Sequence, residues 1–324
     1  MADQNLLKET RVYAKEDRRK SWRFVVTTMA LLVASMVLAV VVDNAVARLL
    51  LSILIGLLMV RAFILFHDFY HHAILRDSPI AKGLFWTYGM LTLSPPSIWK
   101  ETHNFHHAHT SVIEFSNIGS FRIMTVEEWR RSSPLSRWLY RAQRHPLTIV
   151  FGYFTVFLYG MCIQGFLRKP RKNWEGLLAV AIAVLIFAGF LLADALALYF
   201  FVWLLPSMIG AALGAYLFYA QHNFPGMELK ERNDWTYTYA ALHSTSFIDM
   251  PKIMHWFTGN IGYHHIHHIN HRVPFYRLPE AMQGIPALQV PHVTTLNPKE
   301  VWRCLKLMLW DSQANRMITT EEIA

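Results

Sequence analysis

Three short runs of this sequence are crowded with histidine: His67-Asp68-Phe69-Tyr70-His71-His72, His103-Asn104-Phe105-His106-His107 and His264-His265-Ile266-His267-His268. The second and third contain H-x-x-H-H, which sets three imidazoles at i, i+3 and i+4 along one face of a helix. The first is H-x-x-x-H-H. If its helix continues, His67 and His71 share a face, while His72 is turned well away at about 100° per residue. A local bend would favour His72 instead, so both are candidates. One further histidine, His222, stands alone in Gln221-His222-Asn223. A solitary histidine in a loop is ordinarily solvated or hydrogen-bonded. Repeated clusters at this spacing point to a metal site of nitrogen donors, which suits iron or copper oxygen chemistry as well as zinc.

His109, His265 and His271 flank the clusters and are expected beside the ligands or facing solvent. Asp68 and Glu101 are the carboxylates placed to orient ligand imidazoles. His145, His243, His255 and His292 receive no role. The two cysteines, Cys162 and Cys304, form no CxxC, which excludes an iron–sulfur cluster or a thiol-redox site within the chain. No GxGxxG fingerprint is present, so any reducing equivalents must come from outside.

The elements that must position these histidines are written in the apolar blocks. The chain is 53% hydrophobic and only 16% charged, against roughly 25% charged in a soluble protein. Its net charge of +9 comes from Lys and Arg flanking apolar blocks, a membrane pattern rather than a nucleic-acid one. Blocks at 24–42 and about 47–66 read as one transmembrane hairpin, and 177–193 with 196–219, turning at Asp194, as a second. The basic head, Arg18, Arg19, Lys20 and Arg23, places the N-terminus in the cytoplasm. Residues 80–98 read as a shallow re-entrant or interfacial segment. Residues 147–167 are expected to dip in and return, because Arg168 to Lys172 favours the cytoplasm.

Thr125 and Glu128 have capping-box spacing. The helix they start interleaves Arg130, Arg131, Arg137, Arg141 and Arg144 with Trp129, Leu135 and Trp138, as on a membrane surface. The expected architecture is thus an all-α integral membrane protein, with four transmembrane helices, interfacial helices and a histidine-rich cytoplasmic cap. Along the single domain 1–324 the parts run as follows. An N-terminus (1–23) precedes the first hairpin (24–66), then boxes one and two with the interfacial helix (67–146). The re-entrant or interfacial segment and basic loop (147–176) lead to the second hairpin (177–219) and the cap with box three (220–324). All histidine clusters and both termini then lie on the cytoplasmic side. Gly210, Ala211, Ala212 and Gly214 serve either close helix packing or a slot for an acyl chain. The absence of ionisable residues from three of the four spans argues against a metal or proton transporter.

The order HDFYHH, HNFHH, HHIHH resembles the three-box signature of the membrane fatty acid desaturase superfamily. Trp256 to Tyr263 before box three and Arg272 to Pro279 after it resemble bacterial and plant acyl-lipid members. The resemblance covers almost the whole chain. It implies a four-span fold, two non-haem iron ions held mainly by histidine, O2 and a fatty acyl lipid or acyl thioester as substrates, and ferredoxin or cytochrome b5 as electron donor. The implied ligands are His67, His71 or His72, His103, His106, His107, His222, His264, His267 and His268. Phe218 stands where animal members carry an Asn one turn before the extra histidine, so that water-bridging role is not expected here. The implied reaction is desaturation. A hydroxylase or ketolase on the same scaffold is the alternative.

Overall fold

The computed structural model describes residues 2–115 and 120–323. The first helices are α1 (Ala2–Thr10), α2 (Arg18–Val41) and α3 (Ala45–Tyr70). Asp17 caps α2 by accepting from the Lys20 amide at 3.1 Å, and Asn44 caps α3 by accepting from the Ala47 amide at 2.9 Å. The Asn44 cap sets the break expected at Asp43–Asn44. The second span is longer than its apolar block, for α3 runs on into box one. His67 and Asp68 therefore sit in the last turn of a long, rigid helix.

Next come α4 (Pro79–Leu91) and α5 (Pro96–His109). With 13 residues, α4 is about 20 Å long, too short for a core of roughly 30 Å. The chain turns at Leu93, whose φ is +56°, and Pro95-Pro96 starts α5, which carries box two.

The surface helix expected after Thr125 is two helices, α6 (Val126–Arg131) and α7 (Pro134–Arg144). Pro134 disfavours helical backbone at Ser133, which instead caps α7 by accepting from the Ser136 amide. Thr125 does cap α6, but the Glu128 carboxylate pairs with Arg122 rather than closing the box. Leu135 and Trp138 are exposed as anticipated. Arg144 is not a surface residue. It is buried, donating to the Arg122 carbonyl, the Tyr219 hydroxyl and the Asn223 side-chain carbonyl.

The segment expected to dip and return contains no reversal. It winds as α8 (Pro146–Val150), a π-helical stretch (Tyr153–Gln164) and α9 (Gly165–Arg168). It is followed by α10 (Trp174–Leu192), α11 (Leu196–Leu198), a second π-helical stretch (Tyr199–Leu204) and α12 (Leu205–Gln221). Ile149 packs on Ala215 and Tyr219 near the end of α12. A Cβ on Gly176, in the first turn of α10, would lie 2.5 Å from the Cys162 carbonyl. Both ends of the rod therefore contact the histidine-bearing ends of the second hairpin, so it begins and ends on one side without folding back. The hairpin turns at Asp194, with φ +51°.

Four helical segments are long and apolar enough to cross a membrane: Arg18–Val41, Ala45–Tyr70, Trp174–Leu192 and Leu196–Gln221. The central contact is α3 on α12, where a Cβ on Gly56 would come within 2.9 Å of Ile209 and the Pro206 carbonyl. The cap holds α13 (Tyr237–His243), α14 (Lys252–Phe257), α15 (His264–Ile269), α16 (Leu278–Gly284) and α17 (Pro298–Lys306). Its strands are few and short: a parallel pair, Ser246–Asp249 with His292–Thr295, and a three-stranded sheet of Met124–Thr125, Leu309–Asp311 and Arg316–Ile318. The α1 helix lies over the cap, with Leu6 packed among Ile266, Ile269 and Leu278, and the Asn270 amide donating to Thr10 Oγ1 at 3.1 Å.

Candidate metal centre

Four helices, α3, α5, α12 and α15, deliver nine histidines to a single region. His67 comes from the last turn of α3 and His71 from its C-terminal cap. His103, His106 and His107 lie on α5, His222 follows α12, and His264, His267 and His268 lie on α15. They form two groups, His67 with His71, His103, His107 and His267, and His106 with His222, His264 and His268. Within each group one ring nitrogen per residue lies within 4.8 Å of all the others. The groups adjoin: the His107 and His268 rings are 4.3 Å apart and the His103 and His106 rings 5.7 Å apart.

The nitrogens face one another. Nε2 of His222 is 3.0 Å from that of His106 and 2.9 Å from that of His264, which is 3.1 Å from that of His268. His107 Nε2 is 3.1 Å from His103 Nε2 and 3.0 Å from His267 Nε2. A neutral imidazole carries one N–H, so protons alone cannot satisfy nitrogens that converge in this way. Nε2 of His67 and of His71 are buried without any hydrogen-bond partner. Nitrogens bound about 2.0–2.1 Å from one first-row ion lie on the order of 3 Å apart, the spacing seen here. The residues fit a metal in each group.

Burial, and then the neighbouring imidazoles, push His71, His103, His106, His107, His264, His267 and His268 well below the usual histidine range. Burial takes His222 down to about 4. These rings are neutral at physiological pH, the state in which imidazole binds metal.

The outer nitrogens are held by neighbours. Asp68 Oδ1 lies 3.0 Å from His67 Nδ1, and its Oδ2 accepts from the Phe275 amide at 2.7 Å, tying box one to the segment after box three. The Ser244 carbonyl is 3.3 Å from His222 Nδ1, and Thr110 Oγ1 is 3.4 Å from His268 Nδ1. Trp99 stacks on His103 with ring centroids 4.5 Å apart. Sequence reasoning missed Trp99 and Thr110, yet each lies four residues from a box-two histidine on one helical face. It also passed over Arg61, which is buried in α3, stacks 4.1 Å over Trp256 and bonds to Thr28 Oγ1 at 3.1 Å. Arg61 thereby pins the stretch that leads into box three.

Two expectations are corrected. His72 is exposed with φ +59° and joins neither group, because α3 stays regular to Tyr70 and presents His71 instead. Glu101 touches no imidazole and pairs with Lys169 and Lys172. The helix of box three ends at Ile269, before His271, whose ring lies beside His71 at 4.7 Å without joining the group. His265 is wholly buried, with Nε2 at 3.1 Å from the Leu288 carbonyl, and His109 Nδ1 is near the Phe105 carbonyl, so both are held by backbone. Phe218 packs against His106 and His222.

A cavity of about 550 Å³ opens beside the centre, with His67, His103 and His264 on its wall. Apolar residues such as Val60, Phe63 and Trp99 line it, together with Gly210, Ala211 and Gly214. Gly210 also serves packing, for a Cβ there would meet the Gly56 carbonyl at 3.2 Å, whereas Gly214 faces open space. Both expected uses of that small-residue stretch occur.

Four apolar helices long enough to cross a membrane, with two adjoining groups of buried histidines that could hold metal beside an apolar cavity, define a membrane protein of histidine-cluster type. Sequence comparison makes this specific: the Fatty acid desaturase family matches residues 43–299, and the chain belongs to that family. It is 31% identical over 283 residues to a fatty acid desaturase of Bacillus subtilis (strain 168), covering 84% of this chain and 77% of the relative. An sn-1 oleoyl-lipid 12-desaturase of Synechocystis is 23% identical over 225 residues, 69% of this chain and 64% of the relative. A Delta(9) fatty acid conjugase-like enzyme of Dimorphotheca sinuata is 22% identical over 283 residues, 79% and 73% of the two chains. The protein is therefore an oxidoreductase of fatty acyl chains that uses O2.

Proposed function

We propose that the chain acts as one unit that holds two non-haem iron ions, one in each histidine group, and inserts a double bond into the acyl chain of a membrane lipid. The observation that carries this reading is the convergence of nine imidazoles in two adjoining groups beside an apolar cavity. The ligands are His67, His71, His103, His107 and His267 for one ion and His106, His222, His264 and His268 for the other. The sn-1 oleoyl-lipid 12-desaturase relative supports a lipid-linked substrate. The basic segments flanking the spans support cytoplasmic termini and a cytoplasmic histidine cap.

Iron bound there would supply an O2-derived oxidant able to take hydrogen from an unactivated methylene. The chain's own work is positioning. Phe63, Trp99 and Phe157 line the cavity that takes the acyl tail, and His67, His103 and His264 bring the centre to its wall. Asp68, Ser244 and Thr110 fix ring orientation. Each double bond consumes one O2, two external electrons and two protons, and releases two waters.

Expression in a desaturase-deficient host, followed by double-bond mapping of extracted lipids, tests this. The expected result is acyl chains two mass units lighter with the unsaturation at one position. Oxygenated chains, or no change with iron-loaded protein and a competent donor, would overturn it.

A further inference from the structure

A basic rim lies beside the five-histidine group. His72 is exposed and directly follows His71. His271 is half-buried, its ring 4.7 Å from that of His71 and 5.3 Å from that of His107. Arg76 follows His72 by four residues and pairs with Asp77 at 3.3 Å, Lys100 stands three residues before His103 on α5, and Arg272 directly follows His271. Arg76 and Arg272 are exposed, Lys100 half-buried. Arg18 reaches across to the Arg76 carbonyl at 3.0 Å. Of the nearby acids, Glu16 is occupied with the Leu75 amide and Asp17 caps α2. Glu101, next to Lys100, is already matched by two lysines.

The other basic surface expected from sequence, on α6 and α7, is a poorer place for a soluble partner. Its arginines alternate with exposed Leu135, Trp138 and Leu139, the composition of a membrane-facing helix. The chain supplies no cluster, haem or nucleotide fingerprint of its own, so electrons must arrive from a partner.

We propose that the rim of His72, Arg76, Lys100 and Arg272 is the docking surface of a small acidic one-electron carrier protein, and that electrons pass inward through His72 and His271. This rests on the desaturase reading for its electron demand. Two reduced carriers each give up one electron per turnover, and those two electrons join two protons and the two substrate hydrogens in reducing O2 to two waters. A cationic rim meeting an acidic partner speeds encounter and makes it salt-sensitive.

The test is binding of an acidic plant-type [2Fe–2S] ferredoxin to the full chain in neutral-lipid nanodiscs, with and without iron. The rim variant is Arg76→Glu/Lys100→Glu/Arg272→Glu, and the control is Arg130→Glu/Arg131→Glu. Wild type is expected to bind more weakly as salt rises, the rim variant about tenfold or more weakly than wild type at low salt, and the control like wild type. Rim-variant protein driven by dithionite should still form double bonds. Equal binding by the rim variant, loss in the control, no binding by wild type, or a rim that instead governs affinity for phosphatidylglycerol vesicles would overturn the proposal. A rim-dependent ferredoxin affinity with no unsaturated product under dithionite would overturn the desaturase reading and leave the docking surface standing.

Discussion

His71 and His72 are chemically identical neighbours, and helix geometry alone separates them. Because α3 remains helical to Tyr70, His71 falls one turn above His67 while His72 leaves in the left-handed region at φ +59°. His71→Ala is expected to lower iron content in the five-histidine group sharply, and His72→Ala to leave it unchanged, as read by metal analysis of purified protein. The reverse result would mean that box one bends on loading. Asp68→Asn should weaken metal retention about 10–100-fold, the usual effect of removing the partner that orients a ligand histidine. Competition with a chelator measures it.

Acid should have a definite sign. His222 and His271 titrate at about 4 in the fold, burial being the first cause in each, against about 6.5 when unfolded. The unfolded chain thus binds more protons between those values. Stability contributed by the neutral rings is complete above about pH 6.5 and is lost as pH falls toward 4. The metal-free protein should show a falling Tm across that window, and a flat profile would contradict it. The histidine content of the centre was legible in the sequence because three tight clusters have no common structural explanation. The choice between His71 and His72, and the idleness of Glu101, were not, since each depends on where a helix ends and which lysines lie opposite.

At the scale of elements, the hairpins were readable from apolar length and the turn at Asp194 from a single polar interruption. The rod from Pro146 to Arg168 was misjudged as folding back. Hydropathy reports how apolar a segment is, but its direction is set by partners far off in sequence, Ala215 for Ile149 and Gly176 for Cys162. The helix after Thr125 was split by Pro134, a signal present in the sequence but outweighed there by the regular spacing of its arginines.

Two glycines separate the packing and cavity functions of α3 and α12. Gly56→Leu forces a side chain into Ile209 and the Pro206 carbonyl, and overpacking of this kind costs about 1–3 kcal/mol. Its Tm should fall. Gly214 has nothing within 4 Å and lines the cavity. Gly214→Leu should keep Tm near wild type while reducing turnover of long acyl chains, measured by product analysis across chain lengths. If Gly214→Leu unfolds the protein instead, its open space is not the acyl slot.

For the molecule as a whole, four spans with a one-sided rod put every histidine at one end. Both native cysteines are buried, so introduced cysteines can be labelled over a low background. Lys172→Cys and Gln289→Cys should react with an impermeant maleimide only after the cytoplasmic side is opened, and Asp194→Cys from outside. Labelling of all three from one side would refute two hairpins. Positive charges clustered at the block ends are what favour this layout. What the sequence did not disclose is how the cap closes, for that depends on Asp68 meeting the Phe275 amide and on Arg61 stacking over Trp256, pairs with no shared local pattern.

The bond between Thr10 and Asn270 joins the start of the chain to a segment 260 residues later. During synthesis α1 emerges before both hairpins, yet the surface it covers does not exist until box three has been made. Boxes one and two must therefore leave the ribosome and await His264, His267 and His268 before either nitrogen group is complete. Maturation of this protein is thus a scheduling problem, in which a segment made before box one closes over box three.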